Sequence, residues 1–216
     1  MAKMISAADA AEIIDDGMTV MIGGFMSNGT PQILMDALVK KGIKNLTVIA
    51  NDSGLPDNGI GKLIASGAIK KLIATHIGLN PTTGKLMNDG VLEVNLVPQG
   101  TLAEQIRSGG AGLGGFLTPT GTATPAADGK EVIMVDGKEY LLEKPLRADV
   151  SLISGSIVDE NGNIVYKGTT RNFNPVMAMA ADVVIVAAEE IVPTGNIQPE
   201  NVVTPGIFID YIVEAG

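Results

Sequence analysis

The chain contains no cysteine and no tryptophan, and one histidine, His76, among its 216 residues. The missing thiols exclude disulfides and thiolate metal sites. With one imidazole, a multi-histidine metal site and a Ser-His-Asp triad both lack their parts. An excess of basic charge is also missing. Fifteen Lys and Arg stand against 24 Asp and Glu, a net charge of −9, with no run of five like charges. Phosphate-tracking surfaces are built from clustered Lys and Arg, so nucleic acid is excluded as the main partner. Backbone N–H groups can hold a polyphosphate ligand without a basic patch, so that class stays open.

Long apolar runs are absent as well. Mean hydropathy is +0.28, yet no stretch approaches the roughly 20 residues that a membrane-spanning helix requires. The first residues lead quickly into Asp9, Glu12, Asp15 and Asp16, which is no signal-peptide pattern. The expectation is a cytoplasmic chain with no membrane partner. Its hydrophobicity is assigned to buried parallel strands and a subunit interface.

Glycine is what the chain has in excess: 27 residues, where ordinary usage is about 7%. They fall at the ends of apolar runs rather than in one block, which suits turns that approach a ligand closely. The length fits a single domain over residues 1–216 and can bury about 70% of the unfolded surface. Neither an internal repeat nor a disordered linker is read from the chain.

The order of elements follows from caps and periodicity. Ser6 and Asp9 form a capping-box pattern for a helix over 6–15, and Thr19-Val20-Met21-Ile22 reads as a buried strand. Thr30 and Pro31 predict the next helix start, with Thr30 as N-cap, and Gly42 its end. A strand over 45–50 follows, then βα-like alternation in 59–67, 70–78 and 92–97. A second capping box at Thr101–Glu104 predicts a short helix over 101–108. Val132–Leu142 reads as a hairpin turning at Asp136-Gly137, and residues 159–163 as another. A helix near 174–180 and a strand over 183–187 complete the list. The fold class is α/β: an open, mostly parallel sheet flanked by helices, with a β-hairpin excursion.

Two glycine segments are candidate sites. Gly23-Gly24-Phe25-Met26-Ser27-Asn28-Gly29 runs from a strand end into a helix, where N–H groups and the helix terminus favour an anion. A tight turn without a ligand is the alternative. Gly109-Gly110-Ala111-Gly112-Leu113-Gly114-Gly115-Phe116 is entropically costly to order and reads either as a lid over substrate or as close packing. Glu160, in Asp159-Glu160-Asn161-Gly162, resembles a nucleophile motif, but Asn-Gly between two strands signals a hairpin turn. His76 and Asp52 each follow a strand end; each faces the crevice or is satisfied locally. Residues 171–175, Arg-Asn-Phe-Asn-Pro, read as a site-facing turn or a cap.

Taken in order, these motifs resemble the α subunits of the family I CoA-transferases, near the acetate, butyrate–acetoacetate and 3-oxoacid enzymes. The pattern is Asp16-Gly17, an apolar run, Gly23-Gly24-Phe25 and Gly29-x-Pro31; it continues through 46–52, 98–101, 109–121, 146–149, 171–175 and 203–206. The resemblance implies ping-pong transfer of CoA between short-chain carboxylic acids through an acyl-glutamyl anhydride and a glutamyl-CoA thioester. It also implies a β subunit carrying the catalytic glutamate in a Ser-Glu-Asn-Gly motif. No cofactor or metal is expected, coenzyme A being a substrate. Residues 23–29 then correspond to the CoA-binding loop, and Gly112, Gly114, Gly115 and Phe116 lie near the active-site cleft. Because Glu160 follows Asp159 and sits at the hairpin, no catalytic residue is assigned to this chain. A sugar-phosphate isomerase of the same fold and an acyl-CoA-binding regulatory module are the competing readings.

Overall fold

Short runs of β-branched and aliphatic residues form inner strands that are buried on both faces, as a parallel sheet between helical layers requires. The computed structural model of the chain describes residues 2–215. Its first half runs β1 (Lys3–Met4), α1 (Ala7–Glu12), β2 (Thr19–Ile22), α2 (Gln32–Lys41), β3 (Leu46–Ala50), α3 (Ile60–Ala65), β4 (Ile69–Ala74), α4 (Pro81–Asn88), β5 (Glu93–Leu96) and α5 (Gln99–Gly110). The second half runs β6 (Phe116–Thr118), β7 (Val132–Val135), β8 (Lys138–Glu143), β9 (Ala148–Gly155), β10 (Ile157–Asp159), β11 (Ile164–Val165), α6 (Asn174–Met177), β12 (Ala181–Ala188), β13 (Ile191–Val192) and β14 (Tyr211–Glu214).

Eight strands make one sheet in the order β1-β14-β12-β9-β2-β3-β4-β5, and every neighbouring pair is parallel. Alternate residues divide between two cores. Val20, Ile22, Val48, Ala50 and Leu72 pack with Leu34 and Leu38 of α2 and Leu63 of α3. Met21, Ile49, Ile73 and Ile153 face the other way, toward Leu102 and Ile106 of α5 and Met177 of α6. Each such side chain contributes roughly 1.5–3 kcal/mol when fully buried, so the strands are held from both sides.

The predicted helix starts fare unevenly. The Ser6–Asp9 capping box forms, with the Asp9 N–H donating to Ser6 Oγ at 3.1 Å. At α2 the N-cap is Pro31, not Thr30, and no side chain caps the helix; Gly42 ends it in the left-handed region, φ 78°. The second capping box is absent. α5 starts at Gln99 behind Pro98, which puts Thr101 inside the helix, and Glu104 bonds Arg107 instead. In both helices a proline with fixed φ sets the boundary in place of the threonine. α4 went unread in the sequence, although Asn80 caps it through the Thr82 N–H (3.2 Å) and Pro81 opens it.

The excursion is a three-stranded antiparallel sheet, β6-β8-β7, turning at Asp136 (φ 50°) and Gly137 (φ 75°) as the Asp-Gly signal predicts. It is tied to α5 by Glu143, 2% exposed, which accepts from Gln105 Nε2 at 2.9 Å and pairs with Lys130 Nζ at 2.6 Å. The second hairpin, β10–β11, turns where Asp159 accepts from the Asn161 and Asn163 N–H groups. No helix among the described residues is long and apolar enough to cross a membrane.

Gly109 and Gly110 close α5 against neighbouring backbone. A Cβ on Gly109 would overlap the Leu146 carbonyl oxygen, and one on Gly110 would sit 2.7 Å from Met179 Cβ, whereas Gly114 faces open space. Gly109→Ala is therefore expected to destabilise the chain by about 1–3 kcal/mol through overpacking. Gly114→Ala should change stability by less than about 0.5 kcal/mol. Urea midpoints at constant m-value measure both.

Candidate functional site

Strand order reverses between β9 and β2. β3, β4 and β5 are added on one side of β2, while β9, β12 and β14 are added on the other. Connections leaving the carboxyl ends in opposite directions open a crevice at such a point, the usual ligand position in open α/β sheets. Residues 23–29 enter that crevice directly from β2.

Each glycine there answers a steric demand. The Gly23 N–H extends the sheet to the Leu152 carbonyl of β9 (2.9 Å), and a Cβ on Gly23 would overlap the amide oxygen of Asn174. That oxygen accepts the Ser154 N–H of β9 at 3.1 Å, a donor left without a strand partner where β2 ends. Asn174 Nδ2 then donates to Gly29 O (3.0 Å) and Thr170 O (2.7 Å). One wholly buried amide thus ties β9, the start of α6 and the loop together. Gly24 adopts φ 114°, and a Cβ there would overlap Thr30 Oγ1. Its N–H donates to Asn172 Oδ1 (3.1 Å), whose amide nitrogen donates to Asn28 O (3.0 Å).

Phe25 and Asn28 exchange both backbone hydrogen bonds (3.0 and 2.9 Å), closing a two-residue turn over Met26 (φ 51°) and Ser27 (φ 65°). Left-handed backbone costs a non-glycine residue about 1–2 kcal/mol, so this tip must be held from outside. The Met26 N–H donates to Asp52 Oδ2 at 3.0 Å. The loop is consequently less rich in free donors than its glycines suggest. The N–H groups of Gly23, Gly24, Phe25, Met26 and Asn28 are all engaged within the chain. Among the described residues, only those of Ser27 and Gly29 in this segment lack a partner.

Asp52 follows β3 and is 2% exposed. Burial pushes its carboxyl pKa up, opposed by the Met26 and Gly54 N–H groups and by the charge of His76. His76, itself exposed, lies beside it across a backbone bridge that continues the β3–β4 ladder. The turn after β3 has the length and bridging of the turn after β2, but its tip residues Pro56 and Asp57 are not left-handed as Met26 and Ser27 are. Leu55 and Asn58 are bridged, with Gly54 at φ 65° and Gly59 at φ 59°. Gly-x-x-x-Asn-Gly therefore occurs at 24–29 and again at 54–59, a short repeat that the absence of any longer self-similarity concealed. The two turns stack: a Cβ on Gly59 would lie 2.9 Å from Ser27 Oγ.

The other sequence candidates lie elsewhere. Gly109 and Gly110 pack against residues preceding β9 and β12, and a Cβ on Gly115 would be 2.6 Å from Glu143 O. Gly112, Gly114, Gly115 and Phe116 thus follow the end of α5, where β9 begins, while the glycine loop lies where β2 ends. Within this chain the fold does not bring the two glycine segments together. Glu160 is exposed on its hairpin turn, where its carboxylate accepts the Thr194 N–H at 3.3 Å. Asn172 and Asn174, read only as part of a turn, prove to be the loop's main supports.

Residues 4–215 match the family model for coenzyme A transferase. The chain belongs to that family. It is 53% identical to the acetate CoA-transferase subunit alpha of Escherichia coli, over 98% of this chain and 96% of that one. It is 57% identical to the acetoacetyl-CoA:acetate/butyrate CoA transferase alpha subunit of Clostridium acetobutylicum, over 98% and 97%. The transferase fold is also that of an acyl-CoA transferase from E. coli solved as a thioester complex with CoA: TM-score 0.86, 22% identity, 99% of this chain and 47% of that one. Glutaconate CoA-transferase of Acidaminococcus fermentans matches with TM-score 0.84 at 20% identity, over 99% and 75%. The chain is an α-type subunit of a CoA-transferase, as its full-length relatives are named.

The Gly23–Asn174 contact makes a quantitative prediction. Gly23→Ala should destabilise this transferase subunit by about 1–3 kcal/mol in the wild-type background. In an Asn174→Ala background, where the overlapping oxygen is gone, the same change should cost less. A double-mutant cycle by urea denaturation should give a coupling of about 0.5–3 kcal/mol between the two sites; additive effects would contradict the geometry.

Proposed function

We propose that the chain is the non-nucleophilic half of a heteromeric enzyme that moves CoA between short-chain carboxylic acids. The observation that carries this reading is identity above 50% over nearly the whole chain to two alpha subunits named for acetate and for acetoacetyl-CoA, acetate and butyrate. The absence of a placed nucleophile supports it too. The one Glu-Asn-Gly here lies on an exposed hairpin turn and not at the crevice.

In this reading a glutamate of the partner subunit attacks the acyl-CoA carbonyl. The C–S bond breaks, CoA leaves as thiolate, and an acyl-glutamyl anhydride forms. The thiolate then attacks the glutamyl carbonyl and expels the donor acid as carboxylate, leaving a glutamyl-CoA thioester. An acceptor carboxylate runs the two steps in reverse. Covalent catalysis divides the exchange into easier displacements. This chain's part is to bind CoA at residues 23–29, shaping the crevice wall and offering the unpartnered Ser27 and Gly29 N–H groups to negative charge. A key N–H facing an oxyanion is worth roughly 2.7–4 kcal/mol.

Reconstitution tests the division of labour. The purified chain alone should show no transferase activity, and co-expression with a β-type chain bearing Ser-Glu-Asn-Gly should restore it. Glu160→Ala should leave the rate of the complex within about twofold, while replacing the partner's motif glutamate should lower it by roughly a thousandfold or more. Gly24→Val, which forces a branched side chain into φ 114° against Thr30, should raise KM for acyl-CoA at least about tenfold. Full activity of the isolated chain would overturn the proposal.

A further inference from the structure

The strained tip of the glycine loop is held by a side chain from a different loop. Met26 and Ser27 both sit in the left-handed region, and the two-residue turn they form uses only the backbone groups of Phe25 and Asn28. Nothing within the turn satisfies the Met26 N–H, and its acceptor is Asp52 Oδ2 at 3.0 Å. The Gly54 N–H of its own turn also favours the charged form of this carboxylate. Asp52, which leads into the turn after β3, therefore ties the tip of the turn after β2 to its neighbour.

The second turn is a rigid base. Asn58 N–H donates to Leu55 O at 3.2 Å, and the Gly59 N–H bonds Asn58 Oδ1 (2.9 Å) and Gln32 Oε1 (3.0 Å). A Cβ on Gly61 would overlap Leu55 O, so the turn lies directly on α3. A carboxylate fixed on such a base holds its acceptor oxygen in one place. Asp52 itself is buried, so it acts on the loop without reaching a ligand in the crevice. The charged or titratable group facing it is His76, across the β3–β4 bridge.

We infer that Asp52 is a positioning residue for CoA, fixing Met26-Ser27 in the binding conformation through the Met26 N–H and so setting acyl-CoA affinity more than turnover. This rests on the reading of residues 23–29 as the CoA loop, and the test separates the two. In the complex with the β-type partner, Asp52→Ala should raise KM for acyl-CoA about tenfold while kcat falls less than about threefold. Asp52→Asn keeps an acceptor oxygen for Met26 and should recover most of the affinity. By NMR, the Met26 amide should exchange with solvent at least about tenfold faster in Asp52→Ala than in wild type, with Asp52→Asn between them. If Asp52→Ala does not fold, Asp52→Ser, too short to reach the Met26 N–H, takes its place. Gly24→Val is the companion. If Gly24→Val leaves KM unchanged, the CoA-loop reading fails. If Gly24→Val raises KM but Asp52→Ala moves neither KM nor Met26 exchange, the positioning role alone is overturned. An equal fall in kcat and kcat/KM, without rescue by Asn, would also overturn it.

Discussion

The site depends on a side-chain amide standing where a strand should be. β2 ends at Ile22, opposite Leu152, and β9 runs on to Gly155, so the Ser154 N–H has no partner from β2 at the point where the sheet reverses. Asn174 fills that space, and Gly23 permits it by having no Cβ. A buried N–H without a partner would cost about 1–3 kcal/mol, and the amide that satisfies it also holds the carbonyl of Gly29. The geometry of the crevice is in this sense a by-product of finishing the sheet.

Sheet and crevice are linked through burial as well. Alternation of Val20, Met21 and Ile22 between two cores fixes the register of β2, because a one-residue slip would exchange the faces. With the register fixed, Gly23 and Gly24 emerge at a defined height above β9 and β3. The Asp16-Gly17 pair at the other end of β2 is structural: Asp16 accepts the Lys44 N–H at 2.7 Å and Gly17 turns at φ 84°. A motif that spans both ends of one strand thus records its entry and its exit.

Much of this was legible in the residues. Buried strands, the Asp-Gly and Asn-Gly hairpins, and the Ser6 cap follow from local chemistry that tertiary packing does not override. The helix starts predicted at Thr30 and Thr101 are displaced because a neighbouring proline sets the boundary, and Thr30 packs against Gly24 instead. The supports of the loop were the harder part. Asn172 and Asn174 lie nearly 150 residues from the glycines they hold, and no spacing rule links groups so far apart. Asp52 is visible as a strand-end carboxylate, but its partner, a backbone N–H at the end of the neighbouring strand, carries no signature in sequence. The paired turns were visible only as six-residue echoes, too short to stand out from a glycine-rich background.

The edge of the sheet bears on how the chain folds as it is made. β2, β3, β4 and β5 are laid down as successive neighbours, so each can dock soon after it is synthesised. β1 has no such opportunity, because its partner is β14, and Lys3 donates its N–H to Asp210. Long-range pairings close slowly, since loop entropy must be overcome before contacts reward it. During synthesis β1 must therefore stay unpaired until β14 has emerged, and this parallel edge is sealed only after the strands between them have been made.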